Sequence, residues 1–190
     1  IGPEIAVAST KAFVSQLVIL TLLAIMLGRQ RQLTKVQAQA VLQEITRLPE
    51  KAESILHQAE KIKEIAKMYQ QTDKFIFIGR KLNYPIALEG ALKMKEVSYV
   101  HAEGYPAAEM KHGPIALIDE NMPVVFIAVN GNTYEKVIGN IMEVRTRKGI
   151  IIAVVNEGDE AIKRSAHYVI EIPCIHHLLT PLLPVLPLQL

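Results

Sequence analysis

Between Glu89 and His112 the chain carries Glu89, Lys93, Glu96, His101, Glu103, Glu109, Lys111 and His112. On a helix, Glu89, Lys93 and Glu96 stand at i, i+4 and i+7 and share one face. A carboxylate and an ammonium on one rigid face, with a histidine in the loop beyond, are the parts that proton shuttling needs. The same spacing also describes ordinary helix ion pairs on a wet face, each worth about 0.2–0.5 kcal/mol. Glu96 lies late in its helix and precedes a run with few charges. Partial burial is therefore expected there, the setting that tunes a carboxylate as a general base.

His112, in Lys111-His112-Gly113-Pro114, belongs on an exposed turn. It is either a solvent or capping histidine, or the group that moves a proton between hydroxyl and ring oxygen when a cyclic sugar opens. His101, His176 and His177 have no metal-ligand spacing with carboxylates, so no metal is expected. No cofactor is implied either: there is no Walker loop and no G-x-G-x-x-G to hold a nucleotide. Val7-Ala8-Ser9-Thr10-Lys11 reads as a helix start, with Ser9 or Thr10 as its cap. Alternatively its amides and hydroxyls hold a polar or anionic ligand.

These groups need a scaffold. Helices are expected over Ala8–Gln30, Thr34–Arg47 and Glu50–Gln71, with Pro49 separating the last two. The pattern then changes. Apolar, β-branched runs at Lys74–Gly79, Met122–Asn130, Gly149–Asn156 and Tyr168–Pro173 read as buried strands. Helices are expected between them: Tyr84–Val100 capped by Asn83, Thr133–Lys148, Asp159–Ala166, and a last one from near His177. Such alternation predicts an α/β fold, a doubly wound parallel sheet in a flavodoxin-like three-layer sandwich with extra N-terminal helices. Ligands in such sheets sit beyond the carboxyl ends of the strands, here Gly79-Arg80, Asn130-Gly131 and Asn156-Glu157.

At 190 residues, half of them apolar, the chain suits one domain with a real core. A net charge of +2 with few aromatics gives no footing for nucleic acid or a membrane surface. The single cysteine, Cys174, excludes an internal disulfide and fits a reducing cytoplasm; as Pro173 precedes it after an apolar strand, it is expected to be buried. The run Ala12–Leu27 is short for a membrane span and broken by Ser15, Gln16 and Thr21, so a buried core helix is expected. The apolar opening helix and the apolar closing stretch suggest faces covered by a partner, either a second subunit or a further domain.

Three segments carry a resemblance: Glu4-Ile-Ala-Val-Ala-Ser-Thr-Lys-Ala-Phe13, Leu88-Glu-Gly-Ala-Leu-Lys-Met-Lys-Glu-Val-Ser-Tyr-Val-His-Ala-Glu103 and Glu109-Met-Lys-His-Gly-Pro-Ile-Ala-Leu-Ile-Asp119. Together they resemble the isomerase part of the glucosamine-6-phosphate synthases (glutamine–fructose-6-phosphate aminotransferases). The likeness runs over essentially the whole chain. The Leu-Glu-Gly-Ala-Leu-Lys-x-Lys-Glu string is shared by sugar isomerase (SIS) domains generally. Val-Ala-Ser-Thr-Lys and Lys-His-Gly-Pro-x-Ala-Leu point more narrowly to the synthases.

The resemblance implies the second of two tandem SIS folds behind a glutamine amidotransferase domain, in a homodimer acting on fructose 6-phosphate to give glucosamine 6-phosphate. It divides the chain into a helical segment, 1–73, leading from a preceding SIS fold, and an SIS domain, 74–190. It makes Glu96 the base that moves the C1/C2 proton, Lys93 its helper and His112 the ring-opening group, reaching a neighbouring subunit's site. Val7, Ala8 and Ser9 would line the sugar pocket, with Glu89 as a supporting charge. The family's phosphate-binding Ser/Thr loop, its Schiff-base lysine in the tail after Leu190 and its N-terminal cysteine are not in this sequence. A related sugar-phosphate deaminase, or a non-catalytic SIS module that binds sugar phosphate, shares many of these features.

Overall fold

The β-branched runs form a five-stranded, wholly parallel sheet in a computed structural model that describes residues 1–3, 5–129 and 131–190. The second strand's expected end at Asn130, and Glu4 of the first resembling segment, lie outside the described residues. The strands are β1 (Lys74–Gly79), β2 (His101–Pro106), β3 (Pro123–Ile127), β4 (Ile150–Asn156) and β5 (Tyr168–Ile172), in the order β2-β1-β3-β4-β5. Alternate side chains go to opposite faces. Phe75 and Phe77 join one core with Val125, Ile152 and Ile170, whereas Ile76 and Ile78 join another with Val124, Phe126 and Ile151. Both faces are covered, as the continuous apolar strands require.

Four helices precede the sheet: α1 (Lys11–Arg29), α2 (Lys35–Thr46), α3 (Leu48–Leu56) and α4 (Ala59–Met68). The expected single helix from Glu50 to Gln71 is thus two. Pro49 does not separate it from α2; it sits in the first turn of α3, where its missing N–H costs nothing. Behind β1 comes α5 (Asn83–Ser98), then β2, two 3-10 turns (Met110–His112 and Pro114–Leu117), β3, α6 (Tyr134–Thr146), β4, α7 (Glu160–Lys163), β5, a 3-10 segment (His177–Leu182) and α8 (Leu186–Gln189).

Strand β2 was not expected. His101, Glu103 and Tyr105 alternate with Ala102 and Gly104, a polar edge strand without an apolar run. His101 is therefore a strand residue, not a loop residue. Glycine at 104 is required by proximity, because a Cβ there would lie 2.9 Å from the backbone of Leu88 in α5. The end of β1 is tighter still, since a Cβ at Gly79 would meet the Asn83 carbonyl oxygen at 2.0 Å. Asn83 is accordingly the first residue inside α5, not its cap; its side-chain oxygen is buried without a partner among the described residues.

Helix α1 departs furthest from expectation. At 19 residues and a mean hydropathy of 2.0 it is long and apolar enough to cross a membrane, judged by length and composition, and none of its residues is buried. It is not a core helix. Val14, Leu17, Val18 and Ile25 pack against Val41, Leu179 and Leu182, while Ile19, Leu20, Leu23 and Met26 lie exposed on the rest of its surface. Thr10 precedes it without a side-chain capping bond. The closing stretch goes the other way: Leu179, Leu182, Leu183 and Val185 are buried within the domain. Cys174 is exposed rather than buried, because β5 ends at Ile172 and the chain leaves the sheet just before it.

At the carboxyl end of the sheet, Glu171 accepts from the Gly158 N–H and pairs with Lys163, both at 3.0 Å. These donors hold its carboxyl below the usual glutamate range. A depressed acid stabilises the fold above its unfolded pKa and loses that contribution as pH falls through the folded value. Glu171→Gln should thus lower the melting temperature by a few degrees at neutral pH, and the gap should close on acidification below about pH 4. Thermal melts of both proteins across that range test it.

Candidate active site

Helix α5 (16 residues) returns antiparallel to the strands, so its second half, bearing Lys93 and Glu96, lies beside the amino-terminal half of the sheet, with Glu89 at the helix middle. The three groups meet. The Lys93 ammonium touches the Glu96 carboxylate and stands 3.6 Å from Glu89 Oε1. Lys93 has a side chain only 6% exposed, Glu89 11% and Glu96 28%. This is not a wet helix face. A buried ammonium bridges two carboxylates, of which Glu96 alone keeps substantial access to solvent. An open carboxylate fixed by a buried cation can receive a proton from a small molecule without reorganising.

Lys93 also lines a cavity of about 500 Å³ between α4, α5 and the sheet, with Tyr69, Phe75, Met94, Val125 and Leu188 among its mostly apolar walls. The cavity opens near the amino-terminal halves of β1, β3 and β4, and α5 carries its charges there because it runs back along the sheet. The carboxyl ends of β3, β4 and β5 hold a smaller cavity of about 80 Å³, lined by Asn156, Cys174, His177 and Thr180. Glu96 borders the larger space through Lys93 and is not itself part of its wall.

His112 is exposed and lies on the opposite side of the sheet from α5. Met110, two residues before it, is wholly buried in the core built on Ile76, Ile78 and Phe126, whereas Ala87 and Ala91 of α5 belong to the core built on Phe75 and Phe77. Gly113 follows at φ 152°, a conformation closed to other residues, which turns the chain sharply into Pro114. One copy of this chain therefore does not bring His112 to Glu96. Nor does it bring Val7, Ala8 and Ser9 there: Val7 is exposed, all three precede α1, and none lines the larger cavity.

Two polar constellations were missing from the sequence reading. The Tyr134 hydroxyl donates to both oxygens of Asp159 at 2.6 Å, tying the start of α6 to the start of α7, and Asp159 also accepts from the Ile162 N–H to cap α7. Burial and this carboxylate hold the Tyr134 hydroxyl above the ordinary tyrosine range. The second is a cluster of Asn140, Glu143 and Lys111 beside His112. The signal available in the sequence was Asn140 and Glu143 at i and i+3 on α6, one of them within its apolar stripe.

A model of the SIS domain matches residues 67–190. The chain belongs to the SIS domain family. This SIS chain is also 52% identical over 189 residues, 100% of its length, to the glutamine–fructose-6-phosphate aminotransferase (isomerizing) of Chlorobaculum tepidum, and 53% identical over 190 residues to that of Thermus thermophilus. It spans only 31% and 32% of those two proteins. Among solved structures, the C-terminal domain of glucosamine-fructose-6-phosphate aminotransferase from Francisella tularensis superposes with a TM-score of 0.92 at 38% identity, covering 99% of this chain and 53% of that one.

Proposed function

We propose that this chain is the second SIS fold of a glutamine–fructose-6-phosphate aminotransferase (isomerizing), with residues 1–73 leading into it from a preceding SIS fold and 74–190 forming the α/β domain. The observation that carries the proposal is the Glu96 carboxylate, partly open to solvent and held on a buried lysine. Identity of about half the residues over the full chain to proteins of that name supports it.

In this reading, ammonia released from glutamine by an upstream amidotransferase domain adds to the C2 carbonyl of fructose 6-phosphate, and water leaves to give an imine. Glu96 takes a proton from C1, and the electron pair forms the C1–C2 double bond as the nitrogen is protonated. A proton then reaches C2 while the C1 hydroxyl gives up its own and becomes the aldehyde of glucosamine 6-phosphate. Lys93 assists proton transfer at the substrate, and Glu89 holds the far side of Lys93. His112 opens the sugar ring in the site of a neighbouring subunit of a homodimer. Its place across the sheet from Glu96 favours that assignment over action within one copy. Val7, Ala8 and Ser9 line the sugar pocket together with parts of the protein outside this chain, and the open face of α1 packs against one of those parts. The setting is cytoplasmic.

The test compares the 190-residue chain with the full-length protein, both supplied with fructose 6-phosphate and glutamine. The full-length protein should form glucosamine 6-phosphate, and the short chain should form none. Full-length protein that instead releases ammonia from glucosamine 6-phosphate and ignores glutamine would be a deaminase, and robust synthesis by the short chain would show that the site is complete within it.

A further inference from the structure

His112 has an exposed side chain on a short 3-10 turn, a poor platform for a group that must aim at a ring oxygen. Below it Met110 is buried; beside it Lys111 reaches across to α6, where its ammonium lies 2.8 Å from Glu143 Oε1. The other oxygen of Glu143, Oε2, accepts from the Asn140 side-chain amide at 3.3 Å. Asn140 is only 7% exposed, and its own carbonyl oxygen has no partner among the described residues. Burying an amide in that condition is unfavourable. The ion pair it serves does not recover the loss, because Lys111 is 61% exposed and such pairs contribute little to stability. Stability therefore does not account for the arrangement, whereas orientation does. Helix α6 is fixed to the sheet through Val137, Ile141 and Val144, and Asn140 locks the Glu143 carboxylate in one direction on that base.

We infer that Glu143, oriented by Asn140, is a positioning residue that grips Lys111 and so sets the aim of His112. The inference rests on the ring-opening role proposed for His112. Glu143 touches no substrate in this scheme. Its removal leaves the imidazole in place chemically but lets the turn wander, and because an exposed pair holds the aimed geometry only weakly, the population of that geometry should fall by no more than about fivefold.

The experiment uses the full-length enzyme and two substrates. One is fructose 6-phosphate, which is largely cyclic. The other is its 5-deoxy analogue, which lacks the hydroxyl that closes the furanose ring and so needs no opening. With fructose 6-phosphate, Glu143→Gln should lower kcat by about three- to fivefold with KM changed less than about twofold. With the open analogue the variant should match the wild type. The exchanged pair K111E/E143K should recover most of the loss. Adding Glu143→Gln to His112→Ala should cause no further loss. A Glu143→Gln enzyme as fast as wild type on the cyclic substrate would overturn the inference, as would equal losses on both substrates. If His112→Ala impairs the cyclic substrate while Glu143→Gln does not, only the positioning role fails. If His112→Ala is itself fully active, the reading of His112 fails and the inference falls with it.

Discussion

Glu96→Gln in the full-length enzyme should lower kcat by about 10²- to 10⁴-fold, the usual contribution of a positioned general base. That range corresponds to about 3–5 kcal/mol of transition-state stabilisation. Glutamine keeps the shape of the side chain and can still accept from the Lys93 ammonium, so the local fold should survive. What it cannot do is accept the C1 proton. Affinity for fructose 6-phosphate should stay within about threefold, since the interaction removed exists only as the proton moves. The wild type should also exchange deuterium from C1 of labelled substrate into water, and the variant should not. Retained turnover would assign the base elsewhere. A non-catalytic sugar-binding module would show binding in both proteins with no turnover to lose.

The legible and illegible parts of this chain divide along physical lines. Buried parallel strands must be apolar on both faces, so β1, β3, β4 and β5 stand out as β-branched runs, and their observed bounds fall within two to three residues of the expected ones. The meeting of Glu89, Lys93 and Glu96 was legible because helical spacing alone dictates it. Strand β2 was not, since an edge strand with one exposed face has no apolar run to announce it, and Tyr99 in a left-handed turn hides the break from α5. The burial of Lys93 was also invisible. Local spacing describes equally a wet ion pair and a buried one, and only the tertiary fold around the helix decides. The expected burial of α1 failed for a related reason: residues such as Ile19 and Leu20 are as apolar as Val14 and Leu17, and the sequence does not say which face the domain uses.

That burial yields the second large effect. Lys93→Met keeps the length and the apolar stem of the side chain but removes the cation between Glu89 and Glu96. Were the trio solvated, the loss would be under about 1 kcal/mol. Here the lysine side chain is 6% exposed and Glu89 11% exposed, so the variant strands two carboxylates beside each other, one of them with little access to water. Removing one partner from such a buried arrangement costs about 3–5 kcal/mol, a large share of the roughly 5–15 kcal/mol that holds a domain together. For a protein of this size the melting temperature should fall by about 10 °C. Charge, not shape, is the cause, and that can be separated: Glu89→Gln combined with Lys93→Met removes one of the stranded charges and should recover a substantial part of the loss. Thermal and denaturant unfolding of the single and double variants decide it. A loss below about 1 kcal/mol in Lys93→Met, or a double variant weaker than the sum of its singles, would mean that the ammonium does not bind the two carboxylates into one unit. Glu96 would then be an ordinary surface acid, and the fixed acceptor on which the chemistry depends would lose its support.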